Sequence, residues 1–240
     1  MARTFYDSLG LNEDIELDLS MLEATGTLLH DESKNHSTAT MNSALGVPLW
    51  QQIAAWNFGI YLNRGNPFLS MEQYYDIPAA NCTDLNFTSG DYSLSIWFDW
   101  EVTDDDDQVI MGKYIVDDCG WEVYLSDWLG VRYLTVRHHH SAGATERTAS
   151  YSTGWEYGED HLWSYSRIGN TGYHYRDGLP IWTFSDTLID PESSAACDWR
   201  LGCRFSEDDH WWKTKFHRPR AWSKALSADE HRLLYRLGKP

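Results

Sequence analysis

The stretch Ser93-Leu94-Ser95-Ile96-Trp97-Phe98-Asp99-Trp100-Glu101-Val102 decides the fold. Leu94, Ile96, Phe98, Trp100 and Val102 fall on one side of an extended chain, and Ser93, Ser95, Trp97, Asp99 and Glu101 on the other. A two-residue period is that of a β-strand with one face against a core, whereas a helix would scatter those apolar residues around its circumference. Moving outward, the same period recurs. Ile15, Leu17 and Leu19 oppose Asp14, Glu16 and Asp18, and the carboxylates read as the wet face of an antiparallel strand. Further strands are expected at 121–125, 131–138, 162–168, 173–176, 181–184, 199–201 and 216–222. Between them stand Ser89-Gly90-Asp91, Asp118-Cys119-Gly120, Gly169-Asn170-Thr171-Gly172 and Asp177-Gly178, where Gly and Asn supply the positive φ of tight turns.

One segment follows a different period. Ser227 and Glu230 have the spacing of a capping box, opening a helix over 228–237. Leu233, Leu234 and Leu237 make its apolar stripe, and Gly238 ends it. Roughly a dozen strands and one helix, with no internal repeat or composition break, predict a single domain over 1–240. So many short alternating strands hide their apolar faces as a β-sandwich.

The 240 residues carry 36 acidic and 19 basic side chains, a formal charge of −17. That charge opposes nucleic acid and anionic membranes, both of which need phosphates neutralised by Lys and Arg. The 42% hydrophobic share, with 13 Trp and 14 Tyr, supports a packed core without disulfide staples. No apolar run is long enough for a membrane helix. The segment Met1-Ala2-Arg3-Thr4-Phe5-Tyr6-Asp7 leads into acidic sequence without a signal-peptide core. Synthesis in the cytoplasm is therefore expected, with final residence on a virion or extracellular particle surface. Cys82, Cys119, Cys197 and Cys203 form no Cys-x-x-Cys pair. They read as reduced and packed, with Cys197 and Cys203 the one sequence-close pair for a disulfide.

Five segments, in order, resemble the laminin G-like, concanavalin A-like jelly rolls. These are Leu17-Asp18-Leu19-Ser20-Met21-Leu22-Glu23-Ala24-Thr25-Gly26-Thr27, then 86–97 leading into Trp97, then Gly120-Trp121-Glu122-Val123-Tyr124-Leu125. Trp163 with Tyr175-Arg176-Asp177-Gly178 follows, and Ala225-Leu226-Ser227-Ala228-Asp229-Glu230 closes the series. The resemblance implies an all-β antiparallel jelly-roll β-sandwich with one short C-terminal helix. The chain departs from the family at Asn63-Arg64-Gly65-Asn66-Pro67 and Met71-Glu72-Gln73-Tyr74-Tyr75, where a short Asp-Gly hairpin is usual. Fold alone does not assign function, because this architecture hosts lectins, adhesion modules, glucanases and virion proteins.

Retaining glucanases of this fold resemble Glu-x-Asp-x-x-Glu. Here Glu16 and Asp18 begin such a string, but Met21 stands at the third carboxylate position. The acid/base partner is missing, no catalytic residue is assigned, and the chain reads as a non-enzyme. Asp104-Asp105-Asp106-Asp107 joins two strands; Asp105 and Asp107 are the calcium candidates, against a solvated turn. In His138-His139-His140, alternation puts His138 and His140 on one face, for zinc or for an exposed strand end. Trp50, Trp56, Trp128, Trp155, Trp211 and Trp212 lie near turns. Trp128, Trp155, Trp211 and Trp212 are the candidates for stacking on sugar rings, with core packing and a protein interface the other readings.

One basic, aromatic island, 210–220, interrupts the acidic chain. Lys213, Lys215, Arg218 and Arg220 are its interface candidates, through charge complementarity or by neutralising nearby acidic loops. Asn35, Asn81 and Asn86 stand in glycosylation sequons, which mean little without a secretory signal. Two function classes remain. The first is a structural or display module of a larger assembly, such as a phage virion decoration or tail-associated protein. It would use protein scaffold contacts or self-association. The alternative is a carbohydrate-binding or host-adhesion module with a cell-surface glycan as partner. Neither calls for nucleic acid or membrane insertion, nor for a cofactor beyond the calcium candidate.

Overall fold

The protein's structure, a computed structural model, describes residues 10–42, 48–54, 57–62, 73–100, 107–140, 147–152, 154–155, 158–185, 188–205, 212 and 214–238. These contain sixteen strands, numbered in chain order, and one α-helix. The first sheet runs β14 (Leu179–Ser185), β13 (Thr171–Arg176), β12 (Asp160–Ile168), β7 (Tyr92–Trp100), β16 (Thr214–Trp222), β5 (Asn57–Leu62) and β4 (Leu49–Ala54). The short β1 (Ile15–Asp18) pairs with the C-terminal part of β16. The second sheet runs β11 (Arg147–Ser152), β10 (Val131–His139), β9 (Cys119–Trp128), β8 (Gln108–Ile115), β15 (Trp199–Leu201), β6 (Tyr74–Ile77), β3 (Thr38–Asn42) and β2 (Leu28–His30). Every pairing is antiparallel, so the architecture is the expected antiparallel β-sandwich. No described helix is long and apolar enough to cross a membrane.

The apolar row read from 94–102 fills the space between the sheets as far as Trp100, and Val102 lies outside the described residues. Tyr92, Leu94, Ile96, Phe98 and Trp100 pack into one core with Trp121, Val123 and Leu125 of β9 and Leu134 and Val136 of β10. Burying each such side chain contributes about 2 kcal/mol of hydrophobic stabilisation. Two hairpins depend on their glycines. Asp177 (φ 53°) and Gly178 (φ 74°) turn β13 into β14 with the paired positive φ of a tight hairpin. Gly120 (φ 94°) passes so close to the Lys113 carbonyl that a Cβ would lie 1.9 Å from its oxygen.

The other face of β7 is not wet. The helix α1 (Ala228–Gly238) and the segment before it lie over it, making a second core from Leu11, Ile15, Trp97, Leu162, Trp222, Leu226 and Leu234. Trp97 stacks on Tyr235 at 5.6 Å. Ser227 and Glu230 close the capping box, the Glu230 amide donating to Ser227 Oγ at 3.3 Å and the Ser227 amide to Glu230 Oε2 at 2.7 Å. His231 is buried with its ring nitrogens 2.7 Å from Ser164 Oγ and 2.8 Å from Ser166 Oγ. Burial pushes its pKa down to about 3.

This extra layer corrects one reading of β1. Glu16 and Asp18 are buried, not solvent-facing. Asp18 takes the Arg218 and Arg220 guanidiniums, while Glu16 holds Lys34, Asn35 and Ser223. The His138-His139-His140 reading changes as well. His138 and His139 are buried, so this is not an exposed strand end. His138 Nε2 sits 2.5 Å from Tyr92 Oη and Nδ1 lies 2.8 Å from the Ile189 carbonyl. All four cysteines are buried and unbridged, and the thiol that neighbours Cys197 is Cys119.

Candidate functional site

The strand registers bring most of the sequence-flagged residues to one end of the sandwich. β7 ends there at Trp100, opposite Thr214 at the start of β16, and Asp99 stands opposite Asp160 at the start of β12. The β9–β10 hairpin, where Trp128 pairs with Val131, turns at the end of the second sheet that also carries the start of β8. Trp155 packs 4.7 Å from Phe98, and Trp212 packs 5.6 Å from the same ring. Trp128, Trp155, Trp212, Lys215 and Asp107 therefore belong to one end. Asp105, Trp211 and Lys213 lie outside the described residues, as do Trp56 and the side chain of Trp128.

The aromatic base of this end is closed. Trp155 is 2% exposed and Trp212 is fully buried. Their rings face Phe98, His161 and Phe216, so they are not available to stack on a sugar. The sequence lacked the information to tell them from exposed rings, since both sit near turns. Trp50 is partly buried and donates its indole N–H to the Gly26 carbonyl at 2.9 Å.

Above the aromatic base lies a polar rim. Arg132 of β10 donates to the Trp155 carbonyl and lies 5.9 Å from the Trp100 ring centroid. His161 sits 5.2 Å from the Trp155 ring, with Nδ1 2.8 Å from Asp177 Oδ2 and Nε2 3.2 Å from Glu159 Oε2. The Asp177 contact raises the His161 pKa against the opposing effect of burial. Lys215 Nζ is 2.7 Å from Asp160 and 3.8 Å from Asp99. Burial disfavours its ammonium, but these carboxylates outweigh that and hold it above the usual lysine range. At the hairpin tip, Leu129 is 83% exposed and Val131 is 40% exposed.

Among the described residues, three cations of the basic island are spoken for within the chain. Lys215 serves Asp160, and Arg218 and Arg220 serve Asp18 on the far side of the first sheet. Of the two roles open to Lys215, Arg218 and Arg220, these contacts are those of neutralising partners within the chain. Burial pushes the Asp18 carboxyl up, but Arg220 and Arg218 outweigh it and bring it to about 2. Asp107 lies 3.7 Å from Arg137, which also pairs with the buried Glu122. Among the described residues, no group of three or more His, Cys, Asp or Glu is arranged to hold a metal ion.

No protein-family model matches the chain, and no curated protein matches it. Solved structures do. The receptor-binding domain of the botulinum neurotoxin C/D mosaic serotype superposes with a TM-score of 0.68 at 11% identity, covering 95% of this chain and 52% of that one. The binding domain of botulinum neurotoxin DC, solved in complex with SialylT, gives 0.66 at 14% identity, covering 94% and 51%. A structure of botulinum neurotoxin type C, whose cell entry is dependent upon interaction with two ganglioside molecules, gives 0.69 at 13%, covering 97% and 53%. The chain spans about half the length of these structures. At such identities the likeness is one of fold, a β-sandwich of the kind used by binding domains.

Proposed function

We propose that the protein is a non-catalytic carbohydrate-binding module that recognises a cell-surface glycan at the loop end of the sandwich. The observation that carries this reading is the layered end itself. A rigid floor of Trp100, Trp155 and Trp212 lies beneath a polar rim of Arg132, Glu159, Asp160 and His161, beside the exposed Leu129 hairpin. A sugar needs flat apolar contact together with fixed donors and acceptors, and a buried floor keeps the rim preorganised. In this reading the floor positions the site, and Trp128 and Trp211 are the stacking candidates. The SialylT complex of one structural neighbour and the two ganglioside molecules named for another support a glycan as the ligand class. The Met21 gap beside the engaged Glu16 and Asp18 supports binding without hydrolysis.

A glycan array probed with the purified chain tests this, with Trp128→Ala as the paired control. Binding to a defined glycan class, reduced at least tenfold in Trp128→Ala, is the expected result. No binding on the array, or binding indifferent to that substitution, would overturn the assignment of the site.

A second reading, a display module docked on a larger particle such as a virion, is favoured by a different feature. The edge strand β14 exposes Leu179 at 58% and Trp182 at 51%. Edge strands with apolar side chains are templates for pairing with another chain. Light scattering across a salt series separates the two readings. A salt-resistant multimer supports docking through β14, and a 27.8 kDa monomer leaves the glycan module.

A further inference from the structure

Lys113 is wholly buried, which is unusual for a lysine and costly unless its head group is paired. It stands in β8 opposite Trp121, so it points into the space between the sheets. Its Nζ donates to the Cys82 carbonyl at 3.0 Å and contacts Cys82 Sγ at 3.2 Å. Among the described residues no carboxylate pairs with it. Cys82 is 3% exposed and sits between two single 3-10 turns, Ala79–Asn81 and Thr83–Leu85. The second of these is pinned to β9 by the Trp121 indole, which donates to the Leu85 carbonyl at 2.9 Å. An amine and a thiol are thus held in contact in a dry site with no acid to compete for the amine.

The geometry points to a covalent modification site, in which Lys113 Nζ and Cys82 Sγ are joined through one oxygen atom as an N–O–S bridge under oxidising conditions. The oxidant is dioxygen. The S–H bond of Cys82 and one N–H bond of the Lys113 amine break, and an S–O and an O–N bond form to the same oxygen atom. The O–O bond breaks, and the second oxygen leaves as water carrying the two hydrogens. Sulfur and nitrogen together supply the four electrons that reduce dioxygen. The bridge removes the ionisable amine from the buried site and fastens the turn at 83–85 to β8. Its burial shields it from water and bulky thiols, so small reductants open it slowly. This site lies away from the Trp155 end and is independent of the glycan reading.

The test is the intact mass of the full chain, prepared once in air and once under strict anaerobic conditions. The expected result is a gain of about 14 Da in air only, one oxygen added and two hydrogens lost, reversed by dithiothreitol in unfolding conditions. Peptide mapping should show a Cys82 peptide linked to a Lys113 peptide, with tryptic cleavage after Lys113 blocked. Lys113→Met and Cys82→Ser should each abolish the gain. Either variant suffices if the other fails to fold. An unchanged mass in air overturns the proposal. So does a gain of about 16 or 32 Da on Cys82 alone, which is simple thiol oxidation, or a disulfide joining Cys82 to Cys197.

Discussion

Asp18 and Arg218, 200 residues apart in the chain, meet fork to fork, with Arg218 Nε and Nη2 each 2.9 Å from a carboxylate oxygen of Asp18. Arg220 Nε adds a third contact to Asp18 at 3.0 Å. The pairing fastens β1 onto the bulge where β16 is irregular between His217 and Arg220, and Arg218 takes a left-handed φ of 49° to reach it. Asp18→Asn keeps the shape but leaves two guanidiniums facing a neutral amide in a buried place. The expected loss is about 3 to 5 kcal/mol of folding stability, read from the denaturant midpoint. A loss below about 1 kcal/mol would mean that water solvates the arginines as well as Asp18 does.

The same carboxylate sets an acid limit on the fold. Its folded pKa of about 2 lies below the ordinary aspartate value, so its contribution is present above the unfolded pKa near 4. It is lost as pH falls from about 4 through 2, and amounts to about 2 to 3 kcal/mol. Urea unfolding at pH 6 and at pH 2.5, which is still above the folded pKa, should show about 1.5 kcal/mol of that loss in the native chain. In Asp18→Asn the pH dependence over this interval should be shallower by about that amount.

Trp212→Ala and Trp155→Ala separate the floor of the proposed site from its contact surface. Both rings are buried against Phe98, so truncation leaves a cavity and costs about 3 to 5 kcal/mol. Trp128→Ala is expected to act on glycan affinity. Thermal melts of Trp155→Ala and Trp212→Ala decide this. Full stability in Trp212→Ala would mean that its ring is not part of the core.

What could be read from sequence follows from where the environment is one-sided. The inner row of β7, the Asp177-Gly178 hairpin and the Ser227/Glu230 cap are local patterns with local causes, and the structure realises each. β8 escaped because Gln108-Val109-Ile110-Met111-Gly112-Lys113-Tyr114-Ile115 is buried on both faces and does not alternate. The strands β2 to β6 escaped as well, each three to six residues long. The polar face of β1 misled for a different reason. Glu16 and Asp18 look like a solvent surface until Lys34, Arg218, Arg220 and Ser223 arrive over them. No two-residue period records a third layer supplied by a distant segment. At the loop end the gathering of Trp128, Trp155, Trp212 and Lys215 was not legible either, because it depends on the register of β7 with β12 and β16.

His161 provides a titration reporter at the rim of that end. Its Nδ1 contact with Asp177 raises the imidazole pKa above the ordinary histidine value, with Glu159 adding to it and Arg176 opposing. A raised folded pKa means that protonated His161 stabilises the fold. That contribution is complete below the unfolded pKa near 6.5 and is lost as pH rises through the folded value. Because the ring lies 5.2 Å from the Trp155 ring, its charge also bears on the indole. The histidine Cε1–H resonance should titrate with a midpoint above 6.5, and Trp155 fluorescence should follow the same midpoint. Asp177→Asn should bring both midpoints down toward 6.5, since the amide cannot hold the imidazolium by charge. An unshifted midpoint in that variant would place the main partner at Glu159 instead, and Glu159→Gln would then carry the effect.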